Sequence, residues 1–317
     1  MTFPNNATSG HERADLGKMW QSIPIETFMP KIDDILLVPD KKCPTADHEY
    51  DQMMQSEEVK GIFKKYETYL KVNVTPFYGI EITNFSLGSR LHDALMIEKE
   101  RNYRWPNWTN QDEVLKTMEF FRDYNFIIPY KSPIVNKIRA GRLIYQLIEN
   151  MNKSLSNDSS PNDIKLYVYS THDSMVSYLL NALNIFDFKA PDYAATLLIE
   201  LHSMQIKNSS VNLIKMFYLN NTDHPDVPNE KFINDCSVDK KCLYETLIDV
   251  MKNKIIKSDD EFNELCQTQQ VKHAEFNFVD KFIFVIIGVV FGVLITGLIS
   301  LVIHIKYKRF SKNKVYF

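Results

Sequence analysis

The sequence predicts an α/β domain with an α-helical insertion, followed by one C-terminal transmembrane helix. Three observations carry this reading. The apolar run Lys165–Tyr169 gives way to the amphipathic stretch Ser174–Leu183 across Ser170-Thr171-His172-Asp173, a strand-to-helix transition. Ahead of it, several segments repeat apolar residues at helical spacing. Near the end, Phe282–Ile303 is a run of 22 residues without a charge.

Residues 1–19 are polar and aperiodic and read as a loose segment, and Trp20–Val38 reads as extended, with Pro24, Pro30 and Pro39 in or beside it. Glu57–Val72 is helical in pattern, with Val59, Ile62, Phe63, Tyr66 and Leu70 on one face. A second helix is expected over Ile80–Glu100, and a loop over Arg101–Thr109, which holds Pro106 and two tryptophans. Gln111–Tyr124 opens with acids behind the candidate cap Asn110, and Pro133–Met151 turns Ile134, Ile138, Leu143, Leu147 and Ile148 inward. A Ser/Asn/Pro linker, Asn152–Asp163, leads to the central strand and its crossover helix. Thr196–His202 and Leu213–Leu219 then read as a hairpin joined by Ser203–Asn212. Cys242–Met251 reads as a short helix and Asp259–Val279 as the approach to the membrane. There are no internal repeats. The sheet so assembled is short of strands, the first sign of sequence missing at the front.

Of the 317 residues, 44% are hydrophobic and 24% charged, which suits a globular body with a sizeable core. A net charge of −3 leaves no basic field for nucleic acid, so no such partner is expected. A 22-residue helix spans about 33 Å at ~1.5 Å per residue, enough to cross a bilayer core. Only Thr296 and Ser300 soften the run, and Gly288 with Gly292 offers one small-residue helix-pairing face. Five Lys/Arg and no acid follow, so residues 304–317 read as a cytosolic tail and the body as lying on the other side, in a single-pass type I arrangement. Tyr307-Lys308-Arg309-Phe310 has the form of a sorting signal but lies close to the membrane.

Eight Asn-x-Ser/Thr sequons, at Asn6, Asn73, Asn84, Asn107, Asn152, Asn157, Asn208 and Asn220, fit such a body, and Asn73, Asn84, Asn107 and Asn220 are the candidate glycosylation sites. The four cysteines, Cys43, Cys236, Cys242 and Cys266, lack metal-type spacing and read as disulfide formers in an oxidising compartment. Residues 1–10 have neither a basic start nor an apolar core and do not read as a signal peptide. Either the true N-terminus is missing, which is the preferred reading, or the chain is tail-anchored with its body in the cytosol against the charge rule.

The transition at 170–173 carries the chemistry. A strand-to-helix turn lies at the carboxyl edge of an α/β sheet, where ligands bind, and the free N–H groups of a helix start favour an anion. A His-Asp pair there can touch a phosphate and protonate a leaving group. The alternative is that Asp173 or Ser174 simply caps the helix.

Tyr167-Val-Tyr-Ser-Thr-His-Asp-Ser-Met-Val-Ser-Tyr-Leu-Leu-Asn-Ala-Leu183 resembles the second motif of the histidine acid phosphatases, lysosomal and prostatic branch: a strand, then Ser-Ala-His-Asp-Thr and a helix. Trp20–Pro24, Leu37–Pro44, Tyr193–Leu201 and Lys215–Thr222 are similar to that branch in the same order, over about 20–270. The resemblance implies a histidine-phosphatase-like parallel-type sheet core with an α-helical insertion, incomplete at the N-terminus. It divides the chain into 1–19, a lumenal acid-phosphatase-like domain at 20–270, a stalk at 271–281, the span 282–303 and the tail 304–317. It pairs Cys43 with Cys266 and Cys236 with Cys242; a third family bridge has Ile97 and Thr196 in its place. Lysosome and cell surface are both compatible locations, and homodimers occur among related enzymes.

In the family a histidine of Arg-His-Gly-x-Arg-x-Pro attacks phosphorus, arginines clamp the phosphate, and the second-motif pair contacts phosphate and protonates the leaving oxygen. By resemblance His172 is the phosphate contact and Asp173 the general acid. Arg-His-Gly occurs nowhere in the chain, and Arg13 lies in unmatched surroundings. His11, His48, His92 and His202 are poor substitutes for a nucleophile: the first two lie in polar loops, the third on a helix and the fourth at a strand end. The expected function is acid phosphatase-like hydrolysis of phosphate monoesters without cofactor or metal, inactive in the chain as written. The alternatives are a non-catalytic membrane glycoprotein that keeps a remnant of the fold, and a tail-anchored cytosolic scaffold.

Overall fold

The computed structural model describes residues 25–27, 33, 35–37, 42–103, 111–156, 164–206, 209–220, 228–238, 240–267, 292, 294–297 and 300–306. Within them helices predominate. Helix α1, Pro44–Met54, starts on a proline whose fixed φ suits the first helical position, and only Thr45 and Ala46 are buried on it. Its weak apolar stripe explains why periodicity did not disclose it. Helix α2, Glu57–Asn73, is capped by Ser56, whose Oγ accepts from Val59 N at 3.3 Å. The short α3, Thr75–Tyr78, ends on Gly79 at φ 76°, a left-handed stop.

That stop corrects the helix expected from Ile80. The next helix, α4, runs Phe85–Glu100 and begins where Asn84 Oδ1 accepts from Leu87 N at 2.9 Å. Helix α5, Gln111–Ile127, outruns its expected end and passes through a 3-10 turn, Ile128–Lys131, into α6, Pro133–Leu155, capped by Ser132. Part of the expected linker at 152–163 is therefore helix. The remainder, 157–163, and most of the loop expected at 101–109 lie outside the described residues.

Two cores result. In the helical insertion, Val59, Leu70, Phe85, Leu91, Met118 and Phe121 are buried together. Its centre is aromatic: the Phe85 ring lies 4.6 Å from Tyr124, 4.9 Å from Phe121 and 5.6 Å from Phe63. The second core joins α6, α7 (Asp173–Ala182), α8 (Tyr244–Met251) and the sheet through Ile138, Leu143, Met175, Leu180, Ile214 and Leu247.

The sheet corrects the expectation of a parallel-type core. Strands β1 (Thr196–Ile206), β2 (Ser209–Leu219), β3 (Asn229–Lys231), β4 (Ser237–Val238) and β5 (Lys241–Leu243) pair only antiparallel, in the order β1-β2-β5-β4 with β3 also on β2. The β1–β2 hairpin is longer and its connection shorter than expected, with Ile206 opposite Ser209. Cys242 lies in β5, so the helix expected from there starts at Tyr244.

The expected central strand at 165–169 is not formed. Residues 164–172 carry no regular structure, and Leu166 is 63% and Val168 72% exposed. A strand exists through its ladder, and no described segment pairs with this one. The segment expected from Asp259 as an approach to a membrane opens instead as part of the body: 259–267 is helical and buries Phe262 and Cys266 in the second core.

Cys43 is bridged to Cys266, and Cys236 to Cys242. The first bridge closes a separation of 223 residues. Constraining a loop of that size stabilises the fold by roughly 5 kcal/mol at most on a chain-entropy argument. Thr45 Oγ1 donates to Cys266 O at 3.0 Å beside it.

Among the described residues no helix is long and apolar enough to cross a membrane. The expected span, 282–303, lies largely outside them; its residues 292, 294–297 and 300–303 are helical and exposed. The expected loose segment 1–19, stalk 271–281 and most of the tail also lie outside the described residues.

The loop between α7 and β1 is strapped to the helical insertion by two consecutive residues of α5. Arg122 Nη2 donates to Pro191 O at 2.7 Å and to Asp192 Oδ1 at 2.9 Å, and Asp123 Oδ1 accepts from Ala190 N at 2.9 Å. Phe188 and Ala194 hold positive φ, 62° and 57°, within this loop. Burial raises the Asp123 carboxyl above its ordinary 3.8, against the Ala190 N–H bond and the Arg122 charge. His92, buried on α4 nearby, is lowered below 6.5 by burial and then by Arg122.

Two predictions follow from these features. A Cβ on Gly141 would stand 2.8 Å from Lys254 O, a backbone atom, whereas one on Gly61 meets nothing within 4 Å. Gly141→Ala is therefore expected to destabilise by about 1–3 kcal/mol, and Gly61→Ala to stabilise by about 0.5–1 kcal/mol, both read by thermal denaturation. The second concerns pH. A raised carboxyl favours the fold below 3.8 and loses that contribution as pH rises through its folded value. Asp123→Asn keeps the acceptor and removes the charge, so its melting temperature should exceed the parent's at pH 7 and converge with it near pH 3.8.

Candidate functional site

Helix α7 positions the candidate pair. Met175, Leu179 and Leu180 lie on its buried face, against α6 and the sheet, which fixes where its first turn points. His172 is the N-cap, in extended backbone at φ −94° and ψ 159°, and its side chain makes no capping hydrogen bond. Its carbonyl accepts from Val176 N at 3.1 Å, so the helix ladder starts there. Asp173 is the first helical residue, and its Oδ1 accepts from Ser174 N at 2.6 Å. The capping role weighed from sequence is thus partly realised by Asp173, while the His172 side chain makes no hydrogen bond among the described residues. Both residues are exposed.

The turn is anchored from three sides. Thr171 Oγ1 donates to Leu36 O at 2.9 Å, across 135 residues of chain. Leu36 is itself set by Asp33, whose Oδ1 accepts from Ile35 N at 3.0 Å and Leu36 N at 2.7 Å. On the incoming side, Tyr169 OH accepts from Asn150 Nδ2 at 2.6 Å, tying the segment to α6. Beneath the helix, the Tyr130 ring meets Tyr178 and Phe186 edge-on at 5.1 and 4.9 Å. The Tyr130 phenol is pushed well above its ordinary value, by burial first, with the Asp173 charge acting in the same direction. Burial likewise pushes Tyr178 up to about 12.

The pair stands at the edge of the structure described, with 164–168 exposed ahead of it. The cavities of about 370 and 650 Å³ lie elsewhere, by the Cys236–Cys242 loop and between α1, α2 and the start of α4. Three arginines that could meet an anion are engaged with carboxylates instead: Arg122 with Asp192, Arg139 with Asp47 and Arg142 with Asp259. Of the other histidines, His202 pairs with Glu200 at 2.8 Å on β1, His48 contacts Gln52 at 2.9 Å, and His92 is buried on α4; His11 lies outside the described residues. Among the described residues no cluster of His, Cys, Asp and Glu is arranged to hold a metal.

Sequence reasoning missed the Thr171–Leu36 bond and the Asp33 turn behind it. An Asp two and three residues ahead of Ile35 and Leu36 was the available signal, because Asp side chains bond backbone N–H groups just downstream. The partner 135 residues away had no local signature.

The profile described as the histidine phosphatase superfamily (branch 2) matches residues 16–218, well over half of the chain, and takes in the turn at 171–173 with β1 and β2. The protein named acid phosphatase 5 in Caenorhabditis elegans is 30% identical over 240 residues, covering 74% of this chain and 54% of that protein. Human prostatic acid phosphatase is 26% identical over 215 residues, 66% of this chain and 53% of its own length. Human lysosomal acid phosphatase is 24% identical over 229 residues, 71% of this chain and 52% of its own. The chain spans about half the length of these curated relatives. A family profile matched along so much of the sequence, through the very turn that α7 presents, makes this chain a member of branch 2 of the histidine phosphatase superfamily.

Proposed function

We propose that this chain carries the proton-donating half of a phosphomonoesterase pocket, with His172 contacting the phosphate and Asp173 protonating the leaving oxygen. The observation that carries the reading is the exposed His172 side chain at the start of α7, which makes no hydrogen bond among the described residues. A phosphate seated there meets helix N–H groups and the imidazole together. An alkoxide is a poor leaving group, and a carboxyl placed to protonate it accelerates its departure by about 10²–10⁴-fold. The same carboxyl must give up its bond from Ser174 N, or keep it on one oxygen, while the other oxygen serves the substrate.

The chain's own residues supply the acid but no nucleophile, because Arg-His-Gly is absent. The 317 residues alone are therefore inert toward phosphomonoesters. That absence also favours a second reading, a non-catalytic membrane glycoprotein with a remnant phosphatase fold. In both readings residues 282–303 span a membrane once, the basic tail is cytosolic, and the body faces the lysosomal lumen or the cell exterior.

The expressed chain is expected to release no p-nitrophenol from p-nitrophenyl phosphate between pH 4 and 6. Clear turnover abolished by His172→Ala would show that the nucleophile is present after all and overturn the half-site assignment.

A further inference from the structure

We infer that Asn84 bears an N-linked glycan whose first sugar lies in the cavity between α1, α2 and the start of α4. The inference rests on the lumenal reading of the body given above.

Four sequon asparagines are described, and their amides differ. Asn73 Nδ2 donates to Tyr69 O at 3.3 Å within α2. Asn220 is committed at both atoms: Oδ1 accepts from Asp192 N at 2.8 Å and Nδ2 donates to Ala190 O at 3.5 Å, in the strap that holds the α7–β1 loop. Asn152 Oδ1 accepts from Tyr244 OH at 2.7 Å, and Nδ2 donates to Glu149 Oε1 at 3.4 Å. Asn84 uses only its oxygen, which caps α4 by accepting from Leu87 N, and its Nδ2 makes no hydrogen bond among the described residues.

Glycosylation replaces one hydrogen of Nδ2 and leaves the carbonyl oxygen intact, so the cap survives modification. In the transfer, Asn84 Nδ2 forms a bond to C1 of a lipid-diphosphate-linked oligosaccharide. The C1–O bond to the diphosphate breaks, the lipid diphosphate leaves, and the amide loses one proton.

The surroundings supply the seat. Asn84 and Ser86, both sequon residues, line the cavity of about 650 Å³. That volume lies within the ~300–1,000 Å³ typical of small-ligand sites. Phe63 offers an apolar face there, and Lys60, Lys64 and Glu67 offer polar contacts from α2. A sugar presents an apolar ring face and hydroxyls and can use both.

The test uses the full chain made in animal cells behind an added secretory leader, because residues 1–10 do not read as one. Peptide-N-glycosidase in ¹⁸O water converts each glycosylated asparagine to ¹⁸O-labelled aspartate, which peptide mass spectrometry then locates. Label at Asn84, lost in Ser86→Ala, is expected. An unlabelled Asn84 beside another labelled sequon overturns the inference while sparing the lumenal reading; no label anywhere overturns both.

The seat has its own readout. Trimming to a single core sugar should leave the melting temperature unchanged. Asn84→Asp, which keeps a capping oxygen, should lower it by about 2–4 °C relative to the glycosylated chain. A fall on trimming, or no fall in Asn84→Asp, overturns the placement of the sugar in the cavity.

Discussion

The burial of one face of α7 is the constraint on which the rest depends. Met175 and Leu180 are fully buried and Leu179 nearly so, and they seat the helix against α6 and the sheet. With that face fixed, the first turn has one direction left, outward, and His172 and Asp173 are exposed at its tip. The Thr171–Leu36 and Tyr169–Asn150 bonds then hold the entering chain, so the backbone orientation of the pair is set before any ligand arrives. The aromatic contacts of Tyr130 with Tyr178 and Phe186 close the floor under the helix.

Two cores share this architecture, and Ile127 packs against both. The aromatic insertion packs on itself around Phe85 and Phe121, while the second core gathers α6, α7, α8 and the sheet. Arg122 and Asp123 lie on the insertion, yet their partners at Ala190–Asp192 belong to the loop that carries the chain from α7 to β1. The strap therefore couples the insertion to the far end of the helix that presents the site. The Cys43–Cys266 bridge, with both cysteines in the second core, joins the start of α1 to the last described helical segment of the body.

Much of this was legible in the sequence wherever a signal was local. The periodic apolar residues of α2, α5 and α6 and the turn at 170–173 disclosed those elements, since a stripe that must be buried repeats at helical spacing. Signals that act at a distance were not legible. Lys165–Tyr169 has the composition of a buried strand, but a strand is made by its neighbours, and none is described beside it. The antiparallel order of the sheet depends on pairings such as Leu213 with Leu243, thirty residues of chain apart, that no window of sequence contains. The start of α4 was placed too early, at Ile80, because the cap that sets it, Asn84 ahead of Phe85, lies inside an otherwise helix-compatible stretch. For the site, the histidine and its acid were visible as a pair at a helix start. The Asp33 turn and Thr171 bond that steady them were not.

The central claim is that His172 and Asp173 form a phosphate-contacting turn. Its most direct measurement is an NMR titration of the chain with inorganic phosphate at pH 5, observing the His172 ring protons. Saturable shifts at His172 that persist in His202→Ala are the result this account predicts. A His172 ring unmoved by phosphate, or shifts that appear only at other histidines, would contradict it.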